Sequence, residues 1–314
     1  TDVEVVIEAA STAGMHHALV ALTSLSQSPN GIPGLPFRIE DAPSHPWRGL
    51  LIDVARHFVP LSLLRRTIDG MRLSRLNVLH LHLSDAQSFP VLLRDVSTSR
   101  SNGSIVPLPL SRLAKEGAHP SFWKTHSGAS MGPPFESKGE PDAKNGPAGE
   151  GSIESIEVYT LDELAALNQF AKDRGVVIVP ELDMPGHSAA WGKAFPDLLV
   201  DCPKTVRSSH TPLEVPSLDP SSPEVYDIIF EALLQISKVF ASSPFFHIGG
   251  DEVNLDCWRE SERVRDWMMN STDWREGDGI EKAWQEFESR VLDMVARLGK
   301  RPIVWEETQS SGAL

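Results

Sequence analysis

FFHIGGDEV, residues 245–253, begins as an apolar run and closes on two glycines and two acids. A buried strand that finishes in Gly-Gly-Asp-Glu puts two carboxylates where a protein interior tolerates no uncompensated charge. They are either paired and structural, or they do chemistry. Four other runs have the same form: GLLIDVAR (49–56), NVLHLHLSD (77–85), VVIVPELDM (176–184) and PIVWEE (302–307). Helical patterns lie between them. LSLLRRTIDGMRLS (61–74) and LDELAALNQFAKDRG (161–175) repeat apolar residues at three- and four-residue spacing, the second with Gly175 as C-cap. SSPEVYDIIFEALLQISKVF (221–240) opens with Ser222 as N-cap and Pro223 at the first helical position, and IEKAWQEFESRVLDMVARLG (280–299) ends at another glycine.

Strands alternating with helices predict an α/β fold with a parallel sheet, and catalytic groups in such folds gather at the C-terminal strand ends. The succession lacks a glycine-rich nucleotide loop, which favours a (β/α)8 TIM-barrel type over a doubly wound sheet. Five βα units are visible before Leu314, so the barrel reads as truncated. Residues 42–314 are assigned to this partial barrel. Residues 1–41, with a strand-like VEVVIEA and a helix-like AGMHHALVALTSLSQ, read as the remnant of a preceding small α/β domain and a linker. The stretch of about 97–157 is rich in Gly, Pro, Ser and charge, and is expected to be a long loop on the active-site face.

Composition narrows the partners. Lys and Arg number 29 against 43 Asp and Glu, a formal net charge of -14 that repels phosphate backbones and anionic lipid, so nucleic acid and membrane surfaces are not expected. No stretch has the roughly 18 apolar residues of a membrane span, and no signal-peptide pattern opens the chain. Cys202 and Cys257 lie outside any metal-binding spacing, leaving a disulfide open. Two N-x-S/T sequons, at Asn102 and Asn270, would be glycosylated only in the secretory pathway.

In a regular strand Asp251 and Glu252 point to opposite faces, so both serve one site only if the pleat breaks, which Gly249 and Gly250 permit. Adjacent acids in a partly dry site have their pKa values pushed apart, leaving one proton donor and one carboxylate. A strand-end Asp capping the next helix beside a solvated Glu is the other reading. In PELDMPGHSAAW, Glu181 and Asp183 share a strand face, and Pro185-Gly186 turns the chain to present His187, which a carboxylate four positions earlier could orient. His80 and His82 lie on one strand face, with Asp85 ending the run. An H-x-H pair suggests a metal-dependent hydrolase, but later strand ends offer no matching ligands, so packed, hydrogen-bonded histidines are favoured and neither a metal nor a cofactor is expected. Arg56 could fork across vicinal hydroxyls or pair with a strand-end Asp. Trp305 could wall a sugar site or join the core, while Trp267, Trp284 and Phe287 are assigned to the core.

Taken in order, LLIDVARHF, NVLHLHLSDAQSFP, PELDMPGHSAAW, HIGGDEV and PIVWEE resemble the family 20 glycoside hydrolases, the β-N-acetylhexosaminidases, and most of all their eukaryotic lysosomal or secreted branch. The resemblance implies hydrolysis of terminal non-reducing β-linked N-acetylhexosamine residues by a retaining mechanism in which the substrate's 2-acetamido group is the nucleophile. It implies Glu252 as general acid and then base, and Asp251 as the group that orients the acetamide. Arg56 would bind sugar hydroxyls, Trp305 would line the acetamide pocket, and Asp183, His187 and Asp85 would hold the surrounding charge network. It further implies a Cys202–Cys257 disulfide and a lysosomal, vacuolar or secreted location. The implied partner is an oligosaccharide or glycoconjugate, and monomer and homodimer stay open. The alternative is a non-catalytic amino-sugar-binding fragment lacking the last barrel strands.

Overall fold

The computed structural model describes residues 4–27, 36–99, 105–120, 156–270 and 279–310. Its frame is a five-stranded parallel sheet made by β1 (Gly49–Asp53), β2 (Val78–His82), β7 (Val177–Glu181), β8 (Phe245–His247) and β9 (Arg301–Ile303), which lie side by side in chain order. All five strands fall inside the runs read as strands or begin one residue before them. The helices α2 (Leu61–Leu73), α4 (Leu161–Lys172), α7 (Pro223–Val239) and α10 (Ile280–Arg297) follow β1, β2, β7 and β8. Each packs on the next around the outside of the sheet, as α/β barrel helices do.

Local chemistry sets these boundaries. Thr160 and Glu163 form a reciprocal capping box that starts α4, satisfying two amides that a helix start leaves bare. Gly175 adopts φ 73 just beyond α4 and turns the chain into β7. Ser222 does occupy the N-cap position of α7, but its side chain makes no cap bond; Pro223 at the first helical position does the stopping and starting. Along α10 the buried residues Ile280, Ala283, Trp284, Phe287, Val291 and Val295 recur every three or four positions, each large one contributing about 1.5–3 kcal/mol by burial. Glu288 sits inside that stripe, wholly buried. Phe287 and Trp284 are core as expected, and Trp267 packs partly buried against it.

Two expectations change. Residues 4–9 form no strand, for no neighbouring strand lies beside them among the described residues, and the helix that follows, α1 (Thr12–Ser26), buries no side chain. The loop expected at 97–157 is built in its first part. β4 (Val96–Ser99) and β5 (Ile105–Leu108) make an antiparallel hairpin, followed by α3 (Ser111–Gly117). Leu108, Leu110, Leu113 and Ala114 are buried, so sparse apolar residues at the right spacing suffice to anchor this arm. A short parallel pair, β3 (Val91–Leu92) with β6 (Tyr159–Thr160), closes its base, while residues 121–155 and the sequon at Asn102 lie outside the described residues.

Strand register carries the fold into the site. Asp53 pairs with His82, His82 with Glu181, Glu181 with His247 and His247 with Ile303, a single row across the C-terminal edge of the sheet.

Candidate active site

Above that row the chain leaves β8 through Gly249 (φ 72) and Gly250 (φ 97), and Glu252 itself is left-handed at φ 52. The pleat is therefore broken where the sequence placed its glycines. A side chain on Gly249 would put its Cβ 1.7 Å from Asp183 Oδ1, and the Gly250 N–H donates to that same oxygen at 3.2 Å. Only a glycine lets the loop press this closely on a buried carboxyl.

Asp85, at the end of the second strand run, is a hub. It takes Arg56 Nη2 at 2.8 Å, His82 Nε2 at 3.0 Å, His187 Nδ1 at 3.3 Å and the Ala86 N–H at 2.6 Å. Burial by itself would raise its pKa, but the bonds from His187 and His82 and the charge of Arg56 hold it well below the usual carboxylate range. On the other side of His187, Nε2 lies 3.3 Å from Glu252 Oε2. Arg56, Asp85, His187 and Glu252 thus form one continuous polar chain. Burial favours a neutral His187, yet the Asp85 bond and the Asp183 charge outweigh it and raise the imidazole to about 9, so it faces Glu252 as a cation in neutral solution.

The sequence paired His187 with the carboxylate four residues before it. The structure assigns the direct contact to Asp85, because His187 sits at φ 51 and its ring turns across to the end of β2. Asp183 spends its Oδ1 on the Gly250 amide. Buried beside Glu181 and near Asp251, it has its pKa raised well above the ordinary value. Arg56 makes the salt bridges of its second reading, to Asp53 at 2.9 Å and to Asp85, and its side chain keeps 40% exposure at the rim.

Glu181 is the hub beneath. Its Oε2 accepts from His80 Nε2 and His82 Nδ1, each at 2.7 Å, and its Oε1 lies 3.1 Å from His247 Nδ1. The same His247 nitrogen lies 3.0 Å from the Gly249 nitrogen, so it can donate to the carboxylate when it bears the hydrogen or accept the amide N–H when it does not. Desolvation would raise Glu181, but His247, His80 and His82 together bring it well below the usual value. His82, with a carboxylate on each nitrogen, overcomes its burial and is raised to about 11. His80, Glu181 and His247 offer donor atoms close enough to converge on a cation. However, Glu181 Oε2 already accepts two short bonds, from His80 and His82. The H-x-H pair is a hydrogen-bonded core element.

Trp305 packs its ring 4.6 Å from that of His247 and 5.5 Å from that of His80, is half-buried, and its backbone N–H donates to Gly249 O at 3.0 Å. It is both a wall and a tie on the loop. Asp251 is half-buried, and its Oδ1 is buried without a hydrogen-bond donor among the described residues. The Glu252 side chain is 65% exposed, and its N–H donates to Glu307 Oε2 at 3.2 Å. Cys202 and Cys257 are joined in a disulfide that ties α6 (Pro203–Ser208) to α8 (Leu255–Glu260), the helix following the acidic loop. Asn270 ends α9 (Glu262–Asn270), exposed and outside this cluster.

The chain has relatives among known proteins. The chain is 30% identical over 280 residues to beta-hexosaminidase 1 of Arabidopsis thaliana, covering 88% of this chain and 39% of that protein. It is 29% identical over 272 residues to beta-hexosaminidase subunit beta of Homo sapiens, covering 86% and 38%. The chain therefore spans about two fifths of the length of these relatives. Among solved structures, an exo beta-N-acetylglucosaminidase from Vibrio harveyi in complex with N-acetylglucosamine superposes with a TM-score of 0.69 at 24% identity, covering 98% of this chain and 43% of that one, a likeness of fold. The model of the glycosyl hydrolase family 20 catalytic domain matches residues 45–314, and the chain belongs to that family.

Proposed function

We propose that the protein carrying this chain hydrolyses terminal non-reducing β-linked N-acetylhexosamine residues of oligosaccharides or glycoconjugates, with retention of configuration. The observation that supports this best is the juxtaposition of Glu252, held by His187, with an Asp251 oxygen that is buried and lacks a donor. A buried acceptor without a donor is costly unless a ligand supplies one, and a 2-acetamido N–H is such a donor. In this reading Glu252 gives its proton to the glycosidic oxygen as the C1–O bond breaks. The acetamido carbonyl oxygen closes onto C1, and Asp251 takes the amide N–H and steadies the positive oxazolinium. Water then adds to C1, and Glu252 takes its proton. The His187 cation stabilises the Glu252 carboxylate between the two steps, while Arg56 presents its rim-exposed guanidinium to sugar hydroxyls and Trp305 offers its ring to the acetamide methyl.

The proposal extends to organisation and location. Residues 42–314 would be part of the catalytic barrel and residues 1–41 the end of a preceding small domain. The disulfide and the exposed Asn270 favour a lysosomal, vacuolar or secreted setting. Whether the protein works alone or as a homodimer is to be read from its solution mass. The test is hydrolysis of a chromogenic N-acetylglucosaminide and its galactosaminide counterpart by the parent and by Glu252→Gln. Loss of at least about 100-fold in kcat is expected in the variant, and an unchanged rate defeats the acid assignment. Binding of an oxazoline-mimicking thiazoline without turnover in the parent would instead favour an amino-sugar-binding role.

A further inference from the structure

We propose that Glu288, buried on α10, is a positioning residue that seats Gly250 and thereby fixes where Asp251 and Glu252 stand. The inference rests on the hydrolase reading above for its meaning in catalysis, and on geometry for its existence. Glu288 is fully buried. Its Oε1 accepts from Trp284 Nε1 at 3.0 Å, one helical turn earlier, and its Oε2 is buried with no hydrogen-bond partner among the described residues. A Cβ placed on Gly250 would meet Glu288 Oε1 at 3.2 Å and Thr308 Oγ1 at 2.4 Å, so the loop rests directly on α10 and on α11 (Glu306–Ser310).

Among the described residues no cation is recorded in an ion pair with this carboxyl. On α8, Arg259 is engaged by Asp256 and Glu281; on α10 itself, Arg290 pairs with Glu286; Arg263 of α9 reaches Asp219. From α7 the nearest partner of the stripe is the Tyr226 ring, against Phe287. α11 brings Glu306 and Glu307, and the loop brings Asp251 with Asp183 behind it, all acidic. Desolvation, opposed only by the Trp284 bond, raises the Glu288 pKa to about 8. Below that value Glu288 is a neutral acid that accepts the indole N–H and lies under Gly250. Ionised, it would place a buried negative charge beneath a loop whose next residue is the carboxyl-bearing Asp251. Repulsion would then lift the loop from its seat.

The test compares parent, Glu288→Gln and Glu288→Leu in the whole protein. It uses pH profiles of kcat and KM with the chromogenic substrate, and amide hydrogen exchange across residues 249–253. Glutamine keeps the shape and the acceptor without titrating, so it should retain the slow exchange and most of the kcat at pH 5–6. Leucine cannot accept the indole N–H, and should speed exchange about tenfold and lower kcat about tenfold while KM changes less than about threefold. A Gln variant that loses protection at 249–253 above pH 8 as the parent does, or a Leu variant with the parent's exchange and kcat, overturns the proposal. If the parent shows no hydrolysis, the proposed function fails by itself, and exchange decides Glu288 separately: protection at 249–253 must fall above pH 8 in the parent and stay level in Glu288→Gln.

Discussion

Replacing Gly249 and, separately, Gly299 by alanine divides the cost of a left-handed backbone from the cost of crowding the site. The two glycines have nearly the same φ, 72 and 74. An alanine at either must adopt the left-handed region, at about 1–2 kcal/mol, partly offset by the reduced freedom of the unfolded chain. Around Gly299 nothing lies within 4 Å of the added Cβ, so that substitution should cost about 1 kcal/mol and no more. Around Gly249 the Cβ would stand 1.7 Å from Asp183 Oδ1, 2.3 Å from its Cγ and 2.8 Å from its Cα. Rotating Asp183 cannot relieve the last of these contacts, so the loop or β7 must move. Overpacking adds about 1–3 kcal/mol, and loss of the Gly250 bond to a buried acceptor adds about 1–3 kcal/mol. The expected penalty for Gly249→Ala is thus about 3–7 kcal/mol, or a displaced loop with activity lost. Urea unfolding of both variants at pH 6, followed by far-UV circular dichroism and by hydrolysis, provides the measurement. If Gly249→Ala and Gly299→Ala fall within about 1 kcal/mol of each other and both keep parental activity, the account of a loop clamped on Asp183 is wrong.

Asp85→Asn should strip Arg56, His82 and His187 of their shared carboxylate, costing about 3–5 kcal/mol; calorimetry reads the loss, and His187 should then titrate at lower pH by NMR. Reducing the Cys202–Cys257 bridge, whose ends are 55 residues apart, frees loop entropy worth about 4 kcal/mol and should lower the midpoint of thermal unfolding without changing the protein's mass class. For pH, raised folded values at His187, about 9, and His82, about 11, give stability that is fully present below 6.5 and is lost as pH climbs through those values. Asp85, depressed, gives stability that is present above 3.8 and disappears as pH falls. Thermal midpoints should therefore peak between those limits, and a midpoint still rising at pH 10 would contradict the imidazolium assignments.

The barrel strands were legible because each is a short β-branched run closing on a polar group, and their chain-order adjacency follows from the helices between them. The break after Phe246 and His247 was legible too, since two glycines before two acids have few other uses. What the sequence could not display is register. Glu181 becomes a hub only because His82 and His247 stand level with it on the neighbouring strands, and no one-dimensional spacing contains that fact. His187 illustrates the same limit, for the carboxylate nearest in sequence is not the one nearest in space. The hairpin and α3 escaped because a composition reading averages over a stretch, whereas Leu108, Leu110 and Leu113 act individually. Glu288 carries no signal beyond Trp284 four residues earlier, an indole whose N–H needs a partner once the helix face is buried.

The order of the sheet bears on how the molecule is made. Every strand of the frame lies beside the one synthesised just before it, so a chain emerging from the ribosome can add each new βα unit to an existing edge without threading or rearrangement. One wait interrupts that growth: between His82 and Val177 the nascent chain must extrude the whole arm before β7 can dock and Glu181 can reach its histidines.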